Sequence, residues 1–339
     1  MSRKAFLFLV AVCFASSIPG MVVPRPASAL PSPEIEVRNR DSAPPRSLRA
    51  ETLLDRDRLR AWGIERPSRL AFDEDGSLYV LDTRARRVVR LSMSPRGGES
   101  SRRSGGGPDA ATVFGDDAPA SALPHDLVVD ARGSLLVLDR SRSTVSAYDR
   151  RTAYLGTRDL DPQLADEARA PGARLLRDPY GDLWLLAPRE RDLVPLDARL
   201  LRRRPDRFLT PEESAGTPTA AVFLPNGGGW MADRATGTLR RFEPTGRIGR
   251  SVSMGDSVAA APADLAADAS GAVYVADPEG SRIVVFDSGG ARLHTRWLGS
   301  GAHAWRPGAI AWSVDDRIAV ADESRGEIWI FTVERGVAP

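Results

Sequence analysis

Five residues stand out by type and by place. Arg69, Asp126, Arg174 and Asp264 each follow a proline by two or three residues, the prolines being Pro67, Pro124, Pro171 and Pro262. Two otherwise similar segments carry Ala220 and Ala309 at that position. Guanidinium and carboxylate groups that break a repeated pattern at one register form either a self-satisfied ion-pair ring or a site for a polar ligand or peptide. His125 lies beside Asp126 and is the titratable neighbour with an ordinary value near neutrality. No nucleophile–base pair accompanies these five, so they are read as ligand-binding candidates, with no catalytic residue among them.

Other chemistries fall away one by one. Asp73-x-Asp75-Gly76 opens like a calcium loop, but such a loop needs several more oxygen ligands and usually a late bidentate glutamate. The same pattern recurs at Asp130/Gly133, Asp178/Gly181 and Asp268/Gly271, which is the signature of a hairpin turn used many times. Gly105-Gly106-Gly107 lacks the Lys-Ser/Thr of a phosphate loop. Lys4 is the sole lysine and Cys13 the sole cysteine. Without them, Schiff-base, thiol and disulfide chemistry are excluded downstream of residue 29. Besides His125, the histidines are His294 and His303, too far apart along the pattern to converge on one zinc. The sequence calls for no metal and no cofactor.

The elements that must hold the five residues are repeats. Pro67 opens P-S-R-L-A-F-D-E-D-G-S-L-Y-V-L-D, Pro124 opens P-H-D-L-V-V-D-A-R-G-S-L-L-V-L-D, and Pro262 opens P-A-D-L-A-A-D-A-S-G-A-V-Y-V-A-D. Weaker copies start at Pro171, Pro218 and Pro307. Their end positions are Asp82, Asp139, Ala187, Asp233, Asp277 and Asp322, spaced by 57, 48, 46, 44 and 45 residues. A strand-rich unit with a period near 45 predicts a β-propeller, here of six four-stranded blades. Each unit reads as a short apolar strand, an Asp/Gly turn, a strand of strand formers, a turn and a third strand. The terminal aspartates are expected to bond the next turn's amides, with Arg84, Arg140, Arg234 and Arg325 neutralising them. Arg58 to Ile64 resembles the outer strand Arg292 to Trp297 in its pattern. It is therefore expected to close the last blade from the N-terminus, so that no strand edge stays open.

The N-terminus reads as a separate part. Arg3 and Lys4, then the apolar run from Ala5, then Ala27-Ser28-Ala29 form a secretory leader over residues 1–29. Residues 30–50, with four prolines before Arg49, read as a flexible tether, and the propeller is expected over 51–335. Removing the leader's three basic residues leaves 44 basic against 45 acidic ones. Such a balance argues against nucleic acid as a partner. The expected protein is an exported one, secreted or periplasmic, with no stable membrane insertion after cleavage, monomeric, with a protein or polar ligand as partner.

The motif P-x-x-L-x-x-D-x-x-G-x-L-Y-V-x-D, followed by a turn and a strand ending in Phe/Leu-Asp, resembles the NHL repeat. The resemblance covers about 80% of the chain. It is close in units 1, 2 and 5, and loose in unit 3 (Ala187-Pro188), unit 4 (Pro225-Asn226-Gly227-Gly228) and unit 6 (Asp315-Asp316-Arg317). It implies a six-bladed propeller serving as a binding or scaffolding module through its channel face. The alternative it implies is a channel-site hydrolase or lyase, gluconolactonase-like or amidating-lyase-like. The metal ligands of those enzymes are not evident: the positions matching His125 are Ser68, Ala173, Thr219, Ala263 and Gly308, and asparagine is confined to Asn39 and Asn226.

Overall fold

A computed structural model describes residues 46–93, 109–114, 122–204, 206–209, 216–254, 260–298 and 304–335. The expected leader, most of the expected tether and His303 lie outside the described residues. Among the described residues no helix is long and apolar enough to cross a membrane.

The six repeats form six antiparallel sheets whose inner strands pack side by side in a closed ring. Blade 1 is typical, with strands Pro67–Phe72, Leu78–Asp82, Arg87–Ser92 and Asp109–Phe114 in spatial order. The second strands are apolar on both faces because each blade is sandwiched between two others. In blade 1, Leu78 and Val80 pack toward blade 6, whereas Tyr79 and Leu81 pack toward blade 2. The core is accordingly divided into six clusters, one at each seam between neighbouring blades. The Asp/Gly turns are hairpins as expected: Asp73 Oδ1 accepts from Ser77 N at 2.8 Å, and Gly76 sits at φ 77°, where a side chain would strain the turn.

The ring closes from the N-terminus, but with different residues from those expected. Arg46–Leu54 pairs antiparallel with Glu327–Arg335 and supplies the outer strand of blade 6. Its Leu54 enters the seam between blades 6 and 1, and its Leu48 the seam between blades 5 and 6. At about 1.5–3 kcal/mol for a buried leucine, this strand contributes strongly to closure. Arg46 reaches further, its guanidinium bonding Asp268 and the Tyr274 hydroxyl of blade 5. The propeller thus begins at Arg46, inside the stretch expected to be tether. Arg58–Ile64 is not a strand, because Asp55 caps a helix over Arg56–Ala61 by accepting from Arg58 N at 2.9 Å. Asp57 in its first turn and Arg58 and Arg60 in its last suit the helix dipole. Leu59 and Ile64 still reach the core, which explains their strand-like apolar spacing.

Blade 3 departs from the pattern. Its sheet has three strands, Arg174–Arg177, Leu183–Ala187 and Asp192–Leu196, and beyond them the described residues give one bridge, Leu196 to Arg202.

Candidate functional site in the central channel

The inner strands of blades 1 and 2 bend where Arg69, His125 and Asp126 lie. In blades 1, 2 and 4 the ladder shifts register between the opening proline and the residue two further on, at Pro67/Arg69, Pro124/Asp126 and Pro218/Ala220. Such a bulge re-aims the side chain that follows it, here into the channel. Arg69, Asp126, Arg174 and Asp264 meet there. Arg69 Nε lies 3.5 Å from Asp126 Oδ1. Arg174 Nη1 lies 3.7 Å from that same oxygen and 3.4 Å from Asp264 Oδ1, so one guanidinium bridges two carboxylates from opposite sides of the ring. Ala220 of blade 4, small and buried, occupies this register between Arg174 and Asp264.

The two aspartates do a second job. Asp126 Oδ2 accepts from Leu175 N of blade 3 at 2.7 Å, and Asp264 Oδ2 accepts from Ile310 N of blade 6 at 3.1 Å. Each carboxylate thereby ties its blade to the next at the same register. Three of the four charges are buried, Asp126 at 3%, Arg174 at 6% and Asp264 at 8% exposure. The ring is set into the channel, and part of it is architecture.

Burial governs the ionisation. Desolvation pushes the Asp126 carboxyl up, opposed by Arg174 and Arg69. Arg69 is lowered to about 10, by burial first and by the neighbouring Arg174 charge second. His125 is half-buried and hydrogen-bonded to the Ala173 backbone. Burial, then the charges of Arg69, Arg174 and Arg140, lower it to about 4. It is therefore neutral at pH 7, and its Nε2 is buried without a hydrogen-bond partner among the described residues.

The ring partitions the channel. On the hairpin-turn side is a cavity of 240 Å3 walled by the inner strands and reaching Arg177. On the side where the prolines open these strands is a funnel of 460 Å3. Arg69 and Arg174 line both spaces. The funnel wall adds Arg66, Arg234, Arg306, Glu323 and Thr219, with Gly308 opposite open space.

The strand-ending aspartates hold the funnel's rim. Asp82 accepts from Arg84 N and Ala85 N within its turn at 2.9 and 2.7 Å, and from Glu65 N and Arg66 N of the incoming loop at 2.7 and 2.8 Å. Asp322 repeats this with Ser324 N, Arg325 N and Arg306 N. Of the arginines expected to neutralise them, Arg325 does so, at 3.7 Å from Asp322. Arg140 instead donates to the Arg169 carbonyl, Arg234 turns to Glu279, and Arg84 contributes its backbone N–H. In blade 3 the roles are exchanged. Ala187 has no carboxylate, and Glu167, on the short helix Ala165–Arg169 that leads into the blade, accepts from Arg189 N at 2.9 Å. Sequence reasoning missed Glu167, Arg66, Arg234, Arg306, Glu279 and Glu323 as parts of the site. Their signal was positional, since all flank the opening prolines or the strand-ending aspartates, or stand in for a missing one.

Among the described residues no group of three or more His, Cys, Asp or Glu is placed to hold a metal ion. The Asp73, Asp130, Asp178 and Asp268 side chains serve their turns.

The comparisons agree on the architecture. Virginiamycin B lyase from Staphylococcus aureus matches with a TM-score of 0.60 at 12% identity, over 85% of this chain and 99% of that one. A streptogramin B lyase matches with a TM-score of 0.60 at 11% identity, over 85% and 97%. Regucalcin, a calcium-binding protein from Agrobacterium tumefaciens, matches with a TM-score of 0.54 at 15% identity, over 81% and 92%. No family model matches the chain, and no curated protein matches it in sequence. The fold defines a six-bladed β-propeller.

Proposed function

We propose that this chain is an exported, NHL-like propeller that binds a polar ligand or a protein segment through the funnel of its central channel. One observation carries the reading: a 460 Å3 concavity, within the range of about 300–1,000 Å3 usual for ligand sites, is lined by five arginines above a floor of buried, mutually paired charges. Paired charges keep their geometry without a ligand, so the site is preorganised. Arg69 and Arg174 form its deepest part, and Asp126 and Asp264 hold them in place. The NHL likeness is supported by the motif prolines, which stand where the inner strands begin.

A second reading, a channel-site lyase or hydrolase, draws on His125, which lies beside the channel floor residue Asp126. An imidazole held near 4 is a weak general base at neutral pH, so the binding reading is preferred.

Gly308→Trp tests the proposal. A Cβ at Gly308 meets nothing within 4 Å, and the residue lines the funnel. The indole should fill the funnel with the melting temperature unchanged. Molecules co-purifying with the mature chain from its native cell envelope, identified by mass spectrometry, should be lost from the variant. Equal recovery with both forms would overturn the channel-face reading.

A further inference from the structure

The funnel's lining is rich in arginine. Arg66 faces Glu323 at 3.4 Å. Arg69 and Arg174 are matched by Asp126 and Asp264. Arg234 and Arg306, from blades 4 and 6, both converge on Glu279 Oε1, at 3.5 and 2.5 Å. Five arginines and one carboxylate, Glu323, line the funnel, and two half-exposed arginines share Glu279.

Geometry narrows the ligand's chemistry. Arginine's planar fork matches the oxygens of carboxylates and phosphates, and Glu279 already places one carboxylate oxygen between Arg234 and Arg306. The space is that of a small molecule and too confined for a nucleic-acid strand, which needs an extended basic track. We infer that the funnel binds a small oxyanion, a carboxylate or a phosphate ester, held by Arg174, Arg234 and Arg306 above the floor that Arg174 and Asp264 help to form. This rests on the reading of the funnel as the binding site and names the class of its ligand.

Calorimetric titration of the mature chain tests it. Citrate and glycerol 3-phosphate are the probes, and glycerol is the neutral control. At least one anion should bind and glycerol should not. The two probes distinguish a carboxylate from a phosphate ester as the recognised group. Added salt should weaken binding. Arg234→Gln with Arg306→Gln should weaken it by about tenfold or more, as expected when charge-assisted hydrogen bonds are lost. Absence of binding by both anions, equal binding of glycerol, or unchanged affinity in the double variant would overturn the inference. Should Gly308→Trp lose the native molecules while citrate and glycerol 3-phosphate ignore the wild type, the oxyanion assignment fails and the funnel reading stands. Should Gly308→Trp lose nothing, the funnel reading itself fails.

Discussion

Replacing Asp126 and Asp264 together with asparagine separates architecture from accessory charge. Asparagine keeps an acceptor oxygen for Leu175 N and Ile310 N, so the ties between blades survive. What goes is the charge pairing: the contacts at 3.5, 3.7 and 3.4 Å to Arg69 and Arg174. The Arg174 side chain is 7% exposed and that of Arg69 is 20% exposed. Stranding Arg174 should cost on the order of 3–5 kcal/mol, the range for a broken buried pair. Arg69, more exposed and already lowered to about 10, adds less. With an unfolding entropy of about 2 cal/mol/K per residue, a domain of this size changes by about 0.6 kcal/mol per degree, so the melting temperature should fall by about 5–8 °C. Differential scanning calorimetry reads this directly. Adding Arg69→Met and Arg174→Met should recover most of the loss, because replacing a whole buried ion network by apolar groups is often neutral. A double-asparagine variant that melts within about a degree of wild type would refute the reasoning, since surface pairs contribute only about 0–1 kcal/mol.

Other outcomes follow from the same structure. A chain starting at Pro45 should melt like one starting at Leu30, whereas one starting at Asp55 should lose cooperative unfolding or aggregate, because it lacks the outer strand of blade 6; chemical denaturation of the three chains checks this. His125→Gln should flatten the acid limb of stability. Native His125 binds its proton at about 4 and an unfolded histidine near 6.5, so the unfolded chain holds more protons between these values. Its contribution is fully present above about pH 6.5 and lost as pH falls toward 4, at most about 3 kcal/mol at 1.4 kcal/mol per pH unit. Urea midpoints of wild type and variant should therefore converge or cross in that window. Glu167→Ala should cost about 1–3 kcal/mol by leaving Arg189 N without its acceptor, measured as a lowered urea midpoint.

The blades were legible because seams impose a repeat. Every second strand is packed on both faces, so Leu78–Asp82 and Val273–Asp277 carry the same apolar run. The floor was legible for the converse reason: Arg69, Asp126, Arg174 and Asp264 stand where the repeat would place a small residue such as Ala220 or Ala309. Their burial was not legible, because it depends on Arg174 spanning the channel. The closing strand was misplaced because Leu59 and Ile64 have apolar spacing that a strand and a capped helix share, and Asp55 decides between them. The funnel rim escaped because long guanidinium side chains choose their partners in space. Arg234 lies next to Asp233 in sequence yet turns to Glu279 in the next blade.

A crystal structure of the chain from Leu30 with the better-binding anion shows directly where the anion sits. The anion should lie in the funnel, with oxygens in hydrogen-bond range of Arg174 and of Arg234 or Arg306, and with the floor of Arg69, Asp126, Arg174 and Asp264 unmoved. An anion bound instead in the 240 Å3 cavity beside Arg177, or in the 650 Å3 groove near Arg158 between blades 2 and 3, would contradict this placement.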